Sequence, residues 1–432
     1  MKIVYLGMTA DIMHPGLINI INEASKHGEV LVGLLTDSAI AHYKRMPYLT
    51  YEQRKMIVEN VRNVSRVVPQ EEWSYVPNLL KYKPDYIIHG DDWVEGPLKD
   101  IREDVIKAME QIGGSIIEIP YTKGINSSSL DRDIKVIGTT PDVRLKSLRR
   151  LLHAKPLVRI LEAHNGLCGL IIESLEIQKG NRLLSFDGIW SSSLTDSTSK
   201  GKPDIEAVDL TTRMQDLNNI LECTTKPIIY DGDTGGKPEH FAFTVRTLER
   251  NGISAVIIED KVGLKKNSLF GTEVAQQQAT IDEFCEKIQT GKRSAITNDF
   301  MIIARIESLI CGGTISNALE RALAYIDSGA DGIMIHSKDK SGSDIKEFCH
   351  LLREKNSAIP IVVVPTTYNS IYEEELQNWG ANIVIYANHM LRAAYPAMVK
   401  AATSILNNER STEAGEICMP IKQILELIPG TK

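Results

Sequence analysis

Two groups of acidic residues follow two apolar runs in the middle of the sequence. The segment PIIYDGDTGG carries Asp231 and Asp233, and the segment AVIIEDKVGLKKNS carries Glu259 and Asp260. Short apolar runs bounded by glycine or proline are typical of buried parallel strands, and ligands of such sheets bind beyond the carboxyl ends of the strands. Carboxylates gathered there repel one another unless a cation holds them, and their oxygen atoms suit Mg²⁺ or Mn²⁺ better than zinc. The sequence therefore predicts a site for a hard divalent metal ion.

The residues after the second acidic group predict a loop that covers this site. Lys265, Asn267 and Ser268 lie in a polar segment just after Gly263. The lysine brings positive charge, while the asparagine and serine bring neutral hydrogen-bond donors. We expect this loop to be mobile and to close over the metal site.

The chain from residue 166 onward alternates apolar runs with helical segments. The predicted strands are CGLIIE, LSFDGIWSS, KPIIYDGD, SAVIIED, FMIIARIE, DGIMIHSK, PIVVVPT and ANIVIYANH. Eight such repeats in about 270 residues have the size and rhythm of a (β/α)₈ barrel. A doubly wound open sheet is the alternative, but the regularity of the repeats favours closure.

Polar residues end nearly every one of these strands. Besides the two acidic groups described above, the residues at these strand ends include Trp190, Arg305, Glu307, His336 and Asn388. One polar strand end is ordinary, whereas a polar residue at nearly every strand end predicts an active site on the carboxyl face of the barrel.

The N-terminal part of the chain predicts a separate α/β domain. Short apolar runs alternate there with helical spacing, which is typical of a doubly wound, Rossmann-like sheet. A segment rich in Ser, Gly and Asp follows, and Pro141 then opens the amphipathic helix PDVRLKSLRRLLHAK. We expect one domain at residues 1–135 and a barrel domain at residues 141–432 that ends in helices.

Composition limits the class of protein. The 432 residues are 24% charged and 43% hydrophobic, which is typical of a soluble globular protein. The net charge of −7 offers no basic surface for nucleic acid, and no apolar run is long enough to span a membrane. Six scattered cysteines, without a CxxC pair or a secretory leader, indicate reduced thiols and a cytoplasmic protein.

The motifs of the N-terminal domain resemble those of the cytidylyltransferase-like nucleotidyltransferases. The HxGH turn of that family appears here as HPGL, its Lys/Arg segment as KRMPYLTYEQR, its GDW-like turn as GDDW, and its late RTxGISTT segment as YTKGINSSS. The resemblance implies that CTP is the nucleotide to expect at this domain. The residues it places at the nucleotide are His14, Gly16, Lys44, Asp92 and Trp93.

The second histidine of the family's turn is replaced by Leu17. Leucine cannot donate a hydrogen bond, and the loss of a positioned donor costs roughly two to three orders of magnitude in rate. Two interpretations stay open: nucleotidyl transfer by an altered arrangement, or a structural or regulatory domain that keeps a nucleotide site. The missing donor favours the second.

The barrel resembles the phosphoenolpyruvate mutase family of the phosphoenolpyruvate mutase/isocitrate lyase superfamily. The motifs GIWSSSL, YDGDTGG, EDKVGLKKNS, IARIES, MIHSK and ANH occur in that family's order. The resemblance implies a Mg²⁺-dependent isomerase that interconverts phosphoenolpyruvate and phosphonopyruvate. It also implies a homo-oligomer, a dimer or tetramer in which a terminal helix is exchanged between barrels.

The same resemblance implies roles for individual residues. Asp231 would be the direct metal ligand, with Asp233 and Glu259 reaching the metal mainly through water. The residues implied to bind the substrate are Trp190, Ser192, Ser193, Leu194 and Ser268. The residues implied to take part in catalysis are Asp204, Lys265, Asn267, Arg305 and His336. Arg305 and His336 would hold the phosphoryl group, His336 as a donor if it is protonated, and Asp204 would either accept that group transiently or only orient the substrate.

Other reactions on the same scaffold are the alternatives. An isocitrate lyase-type enzyme needs a cysteine in a KKCGH-like loop motif, whereas the loop here reads LKKNSLFG. A phosphonopyruvate hydrolase differs mainly in loop residues that admit water, and Asn267 favours the isomerase. A bifunctional enzyme that also transfers a cytidylyl group to a phosphonate stays open. A nucleotide-binding scaffold with an inactive barrel conflicts with the complete set of metal and loop residues.

Overall fold

The computed structural model describes residues 2–94, 98–120, 139–180 and 182–428, which form two main sheets. The strands are β1 Ile3–Met8, β2 Glu29–Leu35, β3 Val64–Gln70, β4 Tyr86–Gly90, β5 Ser115–Ile119, β6 Val158–Glu162, β7 Glu176–Lys179, β8 Arg182–Ser185, β9 Gly188–Ser191, β10 Ile228–Asp231, β11 Ala255–Glu259, β12 Lys261–Val262, β13 Gln277–Gln278, β14 Met301–Ile306, β15 Gly332–Ile335, β16 Ile361–Val363 and β17 Ile383–Tyr386.

The N-terminal sheet has five parallel strands in the order β3-β2-β1-β4-β5. Its helices span Pro15–Ser25, Asp37–Ala41, Tyr51–Glu59, Val76–Tyr82 and Lys99–Ile112, with a 3₁₀ turn at Asp91–Trp93. Separate apolar clusters, one containing Val4 and the other Tyr5, use alternate residues of β1 and so lie on opposite faces of the sheet. The predicted doubly wound sheet is therefore confirmed.

The second sheet closes into a barrel of eight parallel strands, β6, β9, β10, β11, β14, β15, β16 and β17, in which β17 pairs with β6. Its helices span Pro141–Ala154, Gly166–Ser174, Ser193–Ser199, Leu210–Cys223, Pro238–Arg250, Ile281–Ser294, Ile315–Asp327, Ser343–Lys355 and Glu373–Asn378, with a 3₁₀ segment at Ser268–Glu273. The predicted (β/α)₈ barrel is confirmed, and the open sheet is not.

The first strand of the barrel was predicted wrongly. CGLIIE lies in the helix Gly166–Ser174, and the first strand is β6, with the sequence VRILE. Asn165 caps that helix by accepting a hydrogen bond from the backbone amide of Cys168 at 2.9 Å. The apolar run therefore belongs to a helix with a capped start rather than to a buried strand.

Alternation along the barrel strands decides which residues face its interior. Ala255 and Ile257 of β11 belong to the interior apolar cluster, while Val256 and Ile258 belong to the cluster between strands and helices. The period of two therefore turns Glu259, the last residue of β11, toward the interior. The same alternation turns inward Asp231, the last residue of β10, and Arg305, the next-to-last residue of β14.

The helix Pro141–Ala154 packs against the amino end of the barrel. Leu148 and Leu151 join the interior cluster, and Ser254, just before β11, donates a hydrogen bond to the carbonyl of Arg144 at 2.8 Å. The helix begins where the sequence predicts it. Most of the predicted junction, residues 121–138, lies outside the described residues, so the domain boundary stays a prediction.

Three helices, His389–Asn408, Thr412–Gly415 and Ile421–Leu427, end the described chain. Glu162, at the end of β6, accepts hydrogen bonds from the amides of Met390 and Leu391 at 3.1 and 3.3 Å, and His164 Nδ1 lies 2.6 Å from its other oxygen. Glu162 thus fixes the start of the first terminal helix. Within the described residues, no helix combines the length and apolar character needed to cross a membrane.

Candidate active site

A cavity of about 80 Å³ lies at the carboxyl end of the barrel. Every barrel residue to which the sequence assigned a metal, substrate or catalytic role lines it except Asp233, which contacts the cavity residue Lys265. Residues to which the sequence assigned no individual role also line this central cavity: Leu269, Ile310, Met334, Ser337, Val364, Thr366, Thr367, Ala387 and Asn388. The predicted residues are thus brought together, while their individual roles stay predictions.

The acids of the first group are held by a tight turn after β10. Ser193 donates to one oxygen of Asp231 through its amide and its hydroxyl, at 3.1 and 2.9 Å. A Cβ on Gly232 would lie 2.7 Å from a methyl group of Val256, so only glycine fits between the two acids. Asp233 has a φ of 52°, a left-handed conformation that aspartate tolerates better than most residues. The turn therefore presents two carboxylates within three residues.

The loop after β11 is closed over the cavity. Lys265 is 5% exposed although its neighbour Leu264 is 63% exposed, so the lysine side chain turns inward. Its ammonium contacts Asp233, Asp204 and the Ser193 hydroxyl, the latter two at 2.5 Å. Asn267 donates from its amide to the second oxygen of Asp204 at 3.0 Å. The predicted loop residues thus reach across the site.

Three predicted residues meet on one carboxylate that the prediction left without a role. Glu307 is fully buried and accepts hydrogen bonds from Arg305 Nε at 2.6 Å and from the Ser268 hydroxyl at 2.5 Å. His336 Nδ1 lies 3.2 Å from the same carboxylate, and Arg305 Nη2 donates to Ser268 at 2.6 Å. Glu307 therefore orients the groups expected to hold a phosphoryl group. Its period-two relation to Arg305 was the signal that could have identified it.

The charge state of His336 differs from the one that would make it a second donor. Burial and the nearby Arg305 lower the pKa of His336, although Glu307 opposes this shift. A neutral ring has one proton, and the carboxylate of Glu307 calls for that proton on Nδ1. The other ring nitrogen then accepts hydrogen bonds rather than donating them.

Arg213 is a second residue that the sequence did not reveal. It lies in the helix Leu210–Cys223, is 2% exposed, and donates to the carbonyl of Asp231 at 2.6 Å and to Asp196 at 2.8 Å. It also lies 3.6 Å from Asp233. No local pattern distinguishes this arginine from a surface helix residue, because its partners are distant in sequence.

Burial acts on the acids of this site unequally. Burial and repulsion from Asp231 raise the pKa of Asp233 to about 6, and burial raises the pKa of Glu259 to about 7. Burial also opposes ionisation of Asp231, but Lys265, Arg305 and Arg213 together lower its pKa. Asp233 and Glu259 therefore lie where additional positive charge would stabilise their ionised forms.

The donor set fits a hard divalent cation. Ion pairs connect five carboxylates (Asp196, Asp204, Asp233, Glu259 and Glu307) with four cations (Arg213, Lys261, Lys265 and Arg305). Asp231, whose backbone carbonyl accepts a hydrogen bond from Arg213, adds a sixth carboxylate, so the acids outnumber these cations by two. Both Glu259 oxygens are buried without a hydrogen bond, because Arg305 and Lys261 lie 3.1 and 3.3 Å away but are not aligned to donate. Among the described residues no three acidic, histidine or cysteine side chains already converge as a metal cage.

The structure describes the surroundings of four of the N-terminal candidates, and their common site stays a prediction. The cavity beside His14 is lined, among the described residues, by Met13, Pro15, Ile18 and Asn19. Gly16 is buried in the first turn of its helix, and the Lys44 ammonium lies 5.2 Å from the ring centroid of Trp73. Trp93 is fully buried, stacks on His89, and donates to Glu118 at 2.8 Å. The side chain of Asp92 and the YTKGINSSS segment lie outside the described residues.

Comparison with known proteins identifies the family of the barrel. The family model described as phosphoenolpyruvate phosphomutase matches residues 148–406, which is more than half of the chain. The chain belongs to the phosphoenolpyruvate phosphomutase family. It is therefore an enzyme of this family, and a model described as cytidylyltransferase-like matches residues 5–133 ahead of the barrel.

Phosphoenolpyruvate phosphomutases and a phosphonopyruvate hydrolase are similar to about two thirds of the chain. The phosphoenolpyruvate phosphomutase of Tetrahymena pyriformis is 35% identical over 281 residues, covering 65% of this chain and 89% of that protein. A crystal structure of phosphoenolpyruvate phosphomutase from Streptomyces platensis subsp. rosaceus is 37% identical, with a TM-score of 0.59 over 65% of this chain and 93% of that one. A structure of phosphonopyruvate hydrolase in complex with oxalate and Mg²⁺ is 30% identical, with a TM-score of 0.58 over 66% and 94%.

Proposed function

We propose that the barrel is an isomerase that interconverts phosphoenolpyruvate and phosphonopyruvate. The observation that carries this proposal is the closed loop, in which Lys265 and Asn267 both contact Asp204 across the cavity. The loop brings charge and a neutral donor to the substrate position and leaves no cysteine there. These features suit phosphoryl migration within one substrate better than carbon–carbon bond cleavage.

The reaction needs positioning more than covalent help from the protein. The phosphoryl group leaves the enol oxygen of phosphoenolpyruvate and bonds to the methylene carbon, so one P–O bond breaks and one C–P bond forms without a co-reactant. Arg305, which Glu307 orients, offers its other terminal nitrogen, Nη1, to phosphoryl oxygens, because that atom makes no hydrogen bond to any described residue. Asn267 adds a donor that cannot act as a base.

Asp204 is assigned an orienting role rather than that of a phosphoryl acceptor. Both of its oxygens receive hydrogen bonds, from the ammonium of Lys265 and from the amide of Asn267. Electron density committed to these donors makes the carboxylate a weaker nucleophile. The same contacts hold the loop at the distance that closure requires.

The metal in this proposal is Mg²⁺. The hydrolase structure at 30% identity is a complex with oxalate and Mg²⁺, and the oxygen-only acids of this chain suit the same ion. Asp231 would hold it, with Asp233 and Glu259 nearby, and it would supply charge stabilisation for carboxylate and enolate oxygens.

Phosphonopyruvate hydrolysis is the second candidate because of that structural relative. The two reactions diverge on whether water reaches the metaphosphate-like species. Incubation of the enzyme with phosphonopyruvate and Mg²⁺ distinguishes them, since the isomerase yields phosphoenolpyruvate and the hydrolase yields pyruvate and phosphate. Release of pyruvate and phosphate without phosphoenolpyruvate would overturn the proposal.

The expected place of the reaction is the first step of phosphonate synthesis. We expect the equilibrium between the two compounds to favour phosphoenolpyruvate over phosphonopyruvate. A following reaction that consumes phosphonopyruvate irreversibly, typically a decarboxylation, must therefore draw the product off.

The terminal helices support a homo-oligomer of exchanged helices. No residue of the helix His389–Asn408 is buried. Its apolar side chains are exposed, Tyr395 at 67% and Leu406 at 79%, and Ile421 in the last helix is 74% exposed. A second copy of the chain is the occupant we assign to this apolar face. Leu406→Glu combined with Ile421→Glu should reduce the mass measured by light scattering to that of one chain, whereas an unchanged mass would contradict the exchange.

For the N-terminal domain we propose a regulatory or structural role rather than nucleotidyl transfer. Leu17 removes a donor, and Trp93 is buried with its N–H held by Glu118. Titration with CTP tests whether a nucleotide site persists, with His14→Ala as the variant that should weaken it. Transfer of a cytidylyl group to a phosphonate by the purified chain would refute this role.

A further inference from the structure

Lys261 lies at the base of the loop that closes the central cavity. It begins β12, which pairs antiparallel with β13, so these two short strands form the two stems of the segment 263–276. The side chain of Lys261 is 3% exposed. A lysine is rarely buried to this extent unless its ammonium is fully engaged.

The ammonium of Lys261 joins the loop to the strand ends. It donates to the carbonyl of Lys266 at 2.8 Å, to Gln276 at 2.9 Å and to the Ser268 hydroxyl at 3.1 Å. It also lies 3.3 Å from Glu259 and 3.5 Å from Glu307. One charged group therefore connects three points of the loop with two acids of the barrel.

The pattern of these contacts separates a loop anchor from a simple counter-ion. An ammonium has three N–H donors, and the three hydrogen bonds all go to residues of the loop. The acids are farther away, and Arg305 already lies within 3.1 Å of each of them. Neutralising Glu259 and Glu307 therefore does not require the three loop contacts that Lys261 makes.

The anchored carbonyl and hydroxyl flank the residue that closes the loop over the substrate. Lys266 and Ser268 lie on either side of Asn267, whose amide reaches Asp204. Holding both neighbours fixes the position of Asn267, and Lys265 lies directly before the first of them. Hydrogen bonds from a charged donor are stronger than those between neutral groups, so three of them bias the loop toward its closed state.

We propose that Lys261 is a positioning residue that holds the loop 263–276 closed, and that it thereby decides whether the phosphoryl group reaches carbon or water. The second half of this inference rests on the isomerase function proposed above. Lys261 does not contact the substrate position itself and acts through Lys266, Ser268 and Gln276.

Hydrogen exchange tests the anchor without any substrate. In Lys261→Met the amides of residues 263–276 should exchange at least about tenfold faster than in the unchanged chain, because the loop loses charged hydrogen bonds. Gln276→Leu should show a smaller increase in the same segment while leaving all charges in place. Lys266→Met is the matched control, because Lys266 gives only its backbone carbonyl to Lys261.

Product analysis tests the consequence. With phosphonopyruvate and Mg²⁺, Lys261→Met should raise the ratio of pyruvate to phosphoenolpyruvate at least about tenfold, and Lys266→Met should leave it unchanged. A general loss of stability would lower both products together and would not alter their ratio.

The outcomes separate the two proposals. Unchanged exchange of residues 263–276 in both Lys261→Met and Gln276→Leu would overturn the anchor, and the second variant answers the question if the first does not fold. Faster exchange with an unchanged ratio of pyruvate to phosphoenolpyruvate would overturn the proposal that Lys261 keeps water from the phosphoryl group. If the protein without substitutions makes no phosphoenolpyruvate from phosphonopyruvate, the proposed isomerase function is refuted. The hydrogen-exchange experiment would still test whether Lys261 anchors the loop.

Discussion

Glu307 offers a sharp test of how this site is assembled. Glu307→Gln keeps the size of a fully buried side chain and removes one negative charge. Arg305 Nε and the Ser268 hydroxyl each donate to a different oxygen of the present carboxylate. An amide has only one acceptor oxygen, so one of these two donors would face an N–H group instead.

The size of the effect follows from the charges around Glu307. Two carboxylates, Glu259 and Glu307, face the cations Arg305 and Lys261. Removing one partner of a buried ion pair costs about 3–5 kcal/mol, and we expect about 3 kcal/mol because Glu259 still faces both cations. Arg305 would also lose its orientation, and a displacement of about 1 Å in a positioning group costs roughly 100-fold in rate.

Two measurements check this prediction. Urea unfolding gives the loss in the free energy of unfolding, and steady-state kinetics should show the loss in kcat rather than in KM. Glu59→Gln, at an exposed carboxylate 3.9 Å from Lys55, is the matched control and should change stability by less than about 0.5 kcal/mol. A Glu307→Gln variant with unchanged kcat and stability would refute the orienting role of Glu307.

Three further predictions address the metal ligand, the tight turn and the start of the terminal helix. Asp231→Ala should abolish turnover and Mg²⁺ binding measured by calorimetry, whereas full activity that still depends on metal would contradict the ligand assignment. Gly232→Ala would place a Cβ 2.7 Å from a methyl group of Val256 and 3.0 Å from the carbonyl of Ile257, so thermal unfolding should report a loss of about 1–3 kcal/mol, and an unchanged midpoint would count against the tight approach. Burial alone would lower the pKa of His164, but hydrogen bonds with Cys168 and Glu162 raise it to about 10. The charged ring therefore stabilises the fold fully below pH 6.5, and this stabilisation is lost as pH rises through about 10. Glu162→Gln should make the loss of unfolding free energy between pH 6.5 and pH 10 smaller by about 2 kcal/mol, as measured by unfolding at each pH. Equal losses in the variant and in the original protein would exclude the His164–Glu162 pair.

The fold was largely readable from the sequence because its strands are apolar runs with polar ends. The exception is β6, whose sequence VRILE contains Arg159 and Glu162. These charges interrupt the apolar run, and the barrel tolerates them because each has a partner outside the strand. Arg159 lies 2.5 Å from Glu373, and Glu162 pairs with His164. The neighbouring helix Gly166–Ser174 has the more apolar sequence, so its apolar run matches the pattern of a buried strand better than β6 does.

The site was readable where chemistry coincides with strand ends. Asp231 and Glu259 end apolar strands, Arg305 is the next-to-last residue of another, and all three face the interior by alternation, so their meeting could be predicted. Arg213 could not, because it comes from a helix and acts on the carbonyl of Asp231. Lys261 stands two residues after Glu259, and the same alternation was the only local sign of its inward direction.

The central claim is that this chain moves a phosphoryl group between oxygen and carbon of one substrate. Phosphorus NMR of the purified enzyme with phosphonopyruvate and Mg²⁺ tests it most directly. The phosphonate signal should be replaced by that of phosphoenolpyruvate, without inorganic phosphate. A signal of inorganic phosphate in its place, or a phosphonate signal that does not change, would contradict it.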